Sequence, residues 1–166
     1  MVSRVKIPAH CLRGGALRIC LAMMLGLLVV PGYVVVPILF THAGSNALAG
    51  ALAGHIFHVS NYGIMGLAAA VAMFWVWGGH IGRMLWGILL IIAILVGINE
   101  FWVAGVIGDL KSTMGSVDMT PADHPLRKRF GMWHGVSSLL HLLSSVLALS
   151  LLVSHGSHRG GATCSE

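Results

Sequence analysis

"FGMWHGVSSLLHLLSSVLALSLL", residues 130–152, is apolar enough to cross a bilayer, yet it carries His134, Ser137, Ser138, His141, Ser144 and Ser145. On an α-helix, positions i, i+3, i+4 and i+7 share a face. These six residues follow that spacing, with Leu139, Leu140, Leu142, Leu143, Val146 and Leu147 covering the rest of the cylinder. The reading is a membrane-spanning helix with one polar stripe. Such a stripe has no place in lipid, so it predicts other helices beside it.

The remainder of the chain supplies them. Of 166 residues 57% are hydrophobic and only 9% charged, and the mean hydropathy is +0.88. That composition belongs to membrane proteins and leaves no room for a separate soluble domain. At roughly 20 apolar residues per crossing, the length accommodates four spans. They are read at 16–40, 52–77, 84–107 and 132–153, making a four-transmembrane-helix domain over 16–153 with a basic segment, 1–15, before it and a disordered Gly/His/Ser tail, 154–166, after it. The fold class is therefore all-α, an integral membrane four-helix bundle.

The first run, "ALRICLAMMLGLLVVPGYVVVPILF" (16–40), follows Arg4, Lys6 and Arg13 as a secretory signal would, and "ALA" at 47–49 imitates a cleavage site. It is longer than the h-region of about 7–15 residues, so it is read as an uncleaved span, kinked at Pro31 and Pro37. Gly50 and Gly54 form a GxxxG suited to close helix packing. Trp75, Trp77 and Trp86 flank the turn "GGHIGR" (78–83), and Trp102 and Trp133 flank a polar loop expected over 108–129, as interfacial belts would.

Arg4, Lys6, Arg13, Arg18, Arg83 and Arg159 lie on the side of the termini, against Lys111, Arg127, Lys128 and Arg129 on the other. That balance places both termini in the cytoplasm, with the bacterial inner membrane or its equivalent as the location. The net charge of +5 sits beside apolar segments, which points to anionic lipid head groups and not to nucleic acid. Cys11, Cys20 and Cys164 make no CxxC and no even-numbered set, so neither a disulfide framework nor a zinc motif can be read from them.

The chemistry-bearing residues concentrate on three spans. The second opens with "HIFHVSNYGIM" (55–65), where His55, His58 and Tyr62 share a face with Asn61 beside them. The third places Asn99 and Glu100 after "MLWGILLIIAILVG" (84–97). A charge near mid-bilayer costs on the order of 2.5–3.5 kcal/mol even on the lenient insertion scale, so Glu100 is expected to turn inward and find a partner. By the alternation of spans, His55, His58, Glu100 and His134 fall in one half of the bilayer, with His141 nearer the middle. The expected polar seam comprises His55, His58, Asn61, Asn99, Glu100, His134, Ser137, Ser138 and His141.

The bland reading of the serines and histidines is interhelical hydrogen bonding, which averages about 0.6 kcal/mol per contact. Three functional readings stand beside it. The first is a non-enzymatic protein that handles or senses a small solute or metal species through the seam. The second is an accessory subunit of a larger membrane complex or homo-oligomer, with the seam used for packing. The third is a redox subunit holding a transition metal, with His58, Glu100 and His134 as candidate ligands, or a haem between residues such as His58 and His141. No catalytic residue and no obligatory cofactor are assigned, since the chain contains no HExxH, P-loop or dinucleotide fingerprint.

"LRKRFGMWHGVSSLLHLL" (126–143) resembles the last helix of the transmembrane protein 205-like family, whose prokaryotic members carry a four-span domain of unknown function. Phe130, Trp133, His134, Gly135, Ser137 and Ser138 match its motif. "VVVPILF" (34–40), "LAGHIFHVSNYG" (52–63) and "NEFWVAGVIGDLK" (99–111) are similar to its first three helices. The resemblance covers roughly residues 17–153 and implies a four-span fold but no enzymatic activity. An animal member linked with platinum-drug resistance implies handling of a metal complex. Relatives often have Asn where this chain has His141, so no role is carried over to that residue.

Overall fold

A computed structural model describes residues 9–157 apart from 79, 80, 116, 118 and 122. Arg4, Lys6, Asp118, Arg159 and Cys164 lie outside the described residues, as does the tail beyond residue 157. Hydrocarbon offers the backbone no hydrogen-bond partner, so each crossing segment closes its own bonds as a helix. The described residues form α1 (Ala9–Val29), a π-helical segment Val30–Val35, α2 (Val36–His42), α3 (Asn46–Gly78), α4 (Arg83–Ile98), a second π segment Asn99–Val103, α5 (Ala104–Met114) and α6 (Pro125–Ser157).

These make four helices long and apolar enough to cross a membrane: Cys11–His42, Asn46–Gly78, Arg83–Met114 and Pro125–His155. At 1.5 Å per residue each is about 48 Å long, well beyond a hydrocarbon core of roughly 30 Å. The helices thus project from the bilayer or tilt across it. The polar loop expected over 108–129 is correspondingly shorter. The third helix runs on to Met114 and ends at Gly115, whose φ of +75° suits glycine. The fourth starts at Pro125, a residue whose missing N–H costs nothing in a first turn.

Packing follows the chain around a square. α1 lies against α3 and α6, and α4 lies against α3 and α6, so the first and third spans stand diagonally opposite. The core of the half nearer the termini is apolar but for His155, which is 2% exposed and packs on Trp75: Leu17, Leu21, Met24 and Leu28 meet Ile64, Ala68, Val71 and Trp75, then Leu85, Leu89, Ile92 and Val96, and finally Ala148 and Leu151. In lipid these contacts gain no hydrophobic driving force; they stabilise through dispersion and close fit. Trp75 belongs to this core at 2% exposure, which corrects its assignment to an interfacial belt. It falls on the same face as Ile64, Ala68 and Val71, and its ring packs edge-on against Trp86 at 5.2 Å.

Arg13 ties the same end together. Its guanidinium donates to the carbonyls of Trp77 (3.3 Å) and Gly78 (2.9 Å), where α3 has run out of its own donors. A cation there also complements the negative end of the helix dipole.

Both departures from α geometry fall at mid-span. Pro31 lacks an N–H and its ring crowds the carbonyl four residues earlier. The first helix answers by widening, so that Val36 N–H bonds to Pro31 O, five residues back. Ala104 N–H bonds to Asn99 O in the same way on the third span. The kink expected at Pro31 thus takes the form of a π segment, while Pro37 sits inside regular α2.

The glycines that permit close approach are not the GxxxG pair. Gly54 has nothing within 4 Å of a would-be Cβ, and Gly50 meets only Lys111 Nζ, at 3.5 Å. Gly63 and Gly78 face the ends of the Leu27 and Arg13 side chains at 2.9 Å, and Gly32 is tighter still: a Cβ there would stand 2.5 Å from His141 Nε2 and 2.9 Å from its Cδ2. Gly32→Ala should therefore destabilise the bundle by about 1–3 kcal/mol, the usual cost of overpacking, in a denaturation titration in detergent. Gly26→Ala, with open space around it, should cost nothing, and His141→Ala should remove most of the Gly32→Ala penalty. Equal costs for Gly26→Ala and Gly32→Ala would contradict this packing.

Candidate functional site

Between the apolar half and the loop end, the bundle carries a polar layer. Ser60, Asn61, Asn99, His141, Ser144 and Ser145 are all buried, contributed by α3, the second π segment and α6. Glu100 enters this layer from the rim. Its Oε1 is bonded by His58 Nδ1 and its Oε2 accepts from Asn61 Nδ2 at 2.8 Å.

The Glu100 side chain is 7% exposed, whereas that of His58 is 58% exposed. The pair therefore runs from the protein interior to the outside of the bundle. Tyr62 packs edge-on against the His58 ring at 4.8 Å and meets Phe101 at 6.1 Å, framing the pair with aromatic surface.

Asn99, 8% exposed, has a buried Oδ1 with no hydrogen-bond partner among the described residues. An amide oxygen so placed costs about 1–3 kcal/mol while it stays unpaired. The layer thus holds an acceptor ready for a donor.

His141 is buried on the other side of the layer. Its Nε2–H donates to Leu28 O at 2.8 Å, crossing from the fourth span to the first. Phe57 (5.1 Å, edge-on) and Tyr33 (6.0 Å) flank the ring. The carbonyl it satisfies lies one residue from Leu27, whose i+4 partner would have been Pro31.

Of the expected seam, the structure thus brings together His58, Asn61 and Glu100, with Asn99 and His141 buried in the same layer. His55, His134 and Ser138 are exposed and Ser137 is half-buried. His134 stacks on Phe130, its neighbour one turn away, at 6.0 Å and 10° between planes. The convergence of His55 and His134 on Glu100 is not found: matching depth does not fix the direction in which a side chain points.

The serines differ from expectation too. Ser138, Ser144 and Ser145 donate to the carbonyls of His134, Leu140 and His141 in their own helix, at 2.8–2.9 Å, and not to neighbouring helices. Among the described residues no group of three or more His, Cys, Asp or Glu side chains is placed to hold a metal ion.

Sequence reasoning missed the Leu28 carbonyl and Gly32. The available signal was the Pro31-Gly32 pair inside an apolar run, which marks a disturbed turn and a gap in the helix surface. Ser60, one residue from Asn61, was also passed over.

A family model described as "Domain of unknown function (DUF4149)" matches residues 19–116, more than half of the chain. That stretch contains His58, Asn61, Asn99 and Glu100, and it stops before the helix that carries His134 and His141. No curated protein and no solved structure matches the chain.

The geometry around Glu100 makes a direct prediction. Asn61→Leu strips a buried carboxylate oxygen of its partner and should cost about 1–3 kcal/mol of stability in a detergent unfolding assay. Combining Asn61→Leu with Glu100→Leu should cost much less than the sum of the two single changes. Strict additivity would mean that the two side chains do not interact.

Proposed function

The chain belongs to the DUF4149 family, whose description assigns no activity, and on the geometry of its polar layer we propose that it is a non-enzymatic multi-pass membrane protein that handles or senses a small solute, with Glu100 and His58 as its proton-exchanging pair. The observation that carries this reading is the Glu100 carboxylate near the midpoint of the third span, held on both oxygens and linked through His58 to the outside of the bundle. An intramembrane carboxylate is expensive and recurs in proton relays.

The unpaired Asn99 Oδ1 supports a solute that offers a hydrogen-bond donor. The last-helix resemblance to the transmembrane protein 205-like family supports a role in handling a foreign or metal-containing solute. The metal and haem readings have less support, since the candidate ligand His134 stands apart from His58 and Glu100, and His141 Nε2 is committed to Leu28 O.

Infrared difference spectra of the reconstituted protein between acidic and neutral pH test the proposal. The wild type should show a carboxyl band that Glu100→Gln removes and Asn61→Leu shifts. Cells carrying Glu100→Gln at wild-type abundance should also change in sensitivity to acid or to toxic solutes. A band that survives Glu100→Gln would end the assignment.

One observation favours a second reading, that of an accessory subunit. His58, His55, Tyr62 and His134 all present polar atoms outside the bundle, where lipid satisfies none of them and a partner's helix would. Gentle detergent extraction and a native gel should then show co-migration with a larger assembly, lost in a His58→Leu/Tyr62→Leu variant. Migration of the wild type as a lone 17.5 kDa chain would argue the opposite.

A further inference from the structure

At the loop end of the bundle, between α5 and α6, lies an open niche of about 190 Å³ lined by Val106, Asp109, Leu110, Thr113, Arg129 and Trp133. We propose that this niche binds the head group of an aminophospholipid such as phosphatidylethanolamine, with Arg129 on the phosphate and Asp109 on the primary ammonium. The site is independent of the Glu100 pair.

Four observations converge on this occupant. Asp109 and Arg129 face the same concavity, yet among the described residues neither side chain makes an ion pair or hydrogen bond within the chain. The Asp109 backbone oxygen already accepts from Ser112 (2.8 Å) and Thr113 (2.9 Å), which fixes the last turns of α5 and leaves the carboxylate open. The niche is therefore neutral overall but split into one positive and one negative pole, which matches a zwitterion and not an anion.

Apart from Leu110, which lies level with Asp109, the lining is also ordered along the helices. Thr113, Asp109 and Arg129 stand nearer the connecting segment, whereas Val106 and the Trp133 ring lie about one turn further into the span. A ligand with a polar head and an apolar continuation fits that order, and tryptophan favours the depth where the two meet. Finally, the volume is below the roughly 300 Å³ at which pockets begin to enclose drug-sized ligands. It suits a head group whose remainder stays in the bilayer.

The chemistry separates this ligand from its commonest alternatives. An ethanolamine ammonium offers N–H donors to the Asp109 carboxylate; a choline ammonium offers none. Phosphatidylglycerol supplies the phosphate but leaves Asp109 facing no cation. Guanidinium suits the phosphodiester through its rigid fork of donors.

Native mass spectrometry of the full chain, released from nanodiscs of equal parts phosphatidylethanolamine, phosphatidylcholine and phosphatidylglycerol, tests the assignment. Retention of phosphatidylethanolamine should exceed that of phosphatidylcholine by about tenfold, which corresponds to about 1.4 kcal/mol, and N-methylation of the ethanolamine should erode the preference stepwise. Asp109→Asn should equalise the two zwitterionic lipids, Arg129→Gln should lower retention of both, and Glu100→Gln should change neither. Equal retention of all three lipids, preference for phosphatidylglycerol, or an unchanged ratio in Asp109→Asn would overturn the proposal. Both niche residues are peripheral to the core, so their variants are expected to fold, and an unfolding titration of each verifies it.

Discussion

Hydrocarbon supplies no partner for a carboxylate or a freed backbone carbonyl, and that constraint organises the middle of this bundle. Two polar groups stand there: the Glu100 side chain, and the backbone carbonyl of Leu28 in the turn before Pro31. Each is met by side chains from a neighbouring helix. His58 and Asn61 of α3 reach Glu100, and His141 of α6 reaches Leu28 O. An unmet carboxylate would cost several times the average interhelical hydrogen bond of about 0.6 kcal/mol, so these contacts fix the register of the spans more strongly than the serines do.

The layer also divides the bundle into unlike halves. Toward the termini, large apolar side chains from all four spans fill the core. Toward the loops the buried residues are small or few: Ala49, Ala53, Pro31 and Val103, with none in α2 or α5. There α2 packs on α3 and α5 on α6, and Lys111 reaches from α5 to Gly50 O of α3 at 3.2 Å, its Nζ 5.9 Å from the Phe130 ring centre. Dispersion scales with close contact, so the loop half coheres less firmly than the other. In the proposed reading, a solute would reach Asn99 and Glu100 from that side.

Much of this was legible in the residues. Hydropathy separates four spans, and the cost of a mid-span charge identifies Glu100 as a residue that must turn inward and pair. Which imidazole meets it was not legible. Depth follows from counting residues, but azimuth depends on how helices pack and on backbone register. A π segment at 99–103 changes that register around Glu100 itself. His55 and His58 are one turn apart with the same chemistry, and only packing of α3 on α4 distinguishes them. The stripe on α6 was a sound helical pattern with a different use: Ser138, Ser144 and Ser145 are satisfied by their own backbone, so they place no demand on a neighbour, and its first turns point His134 outward. Trp75 was misplaced because proximity to a turn says nothing about which face of the helix a ring occupies.

Within the polar layer, the two uninterrupted helices, α3 and α6, are the ones that lend side chains, and the two interrupted spans are the ones that receive them. This division has a mechanical consequence. A straight helix of 33 residues moves as a rod, whereas a π segment is a place where one residue of register can be gained or returned to α geometry with little change elsewhere. Glu100 lies inside such a segment. In the proposed reading, adding or removing its proton alters the hold of His58 and Asn61 at the point where the third span is least committed to one winding, and the Asn99 amide, its immediate neighbour, is carried with it. A local change of charge is thereby converted into a change in which polar groups face the interior of the layer.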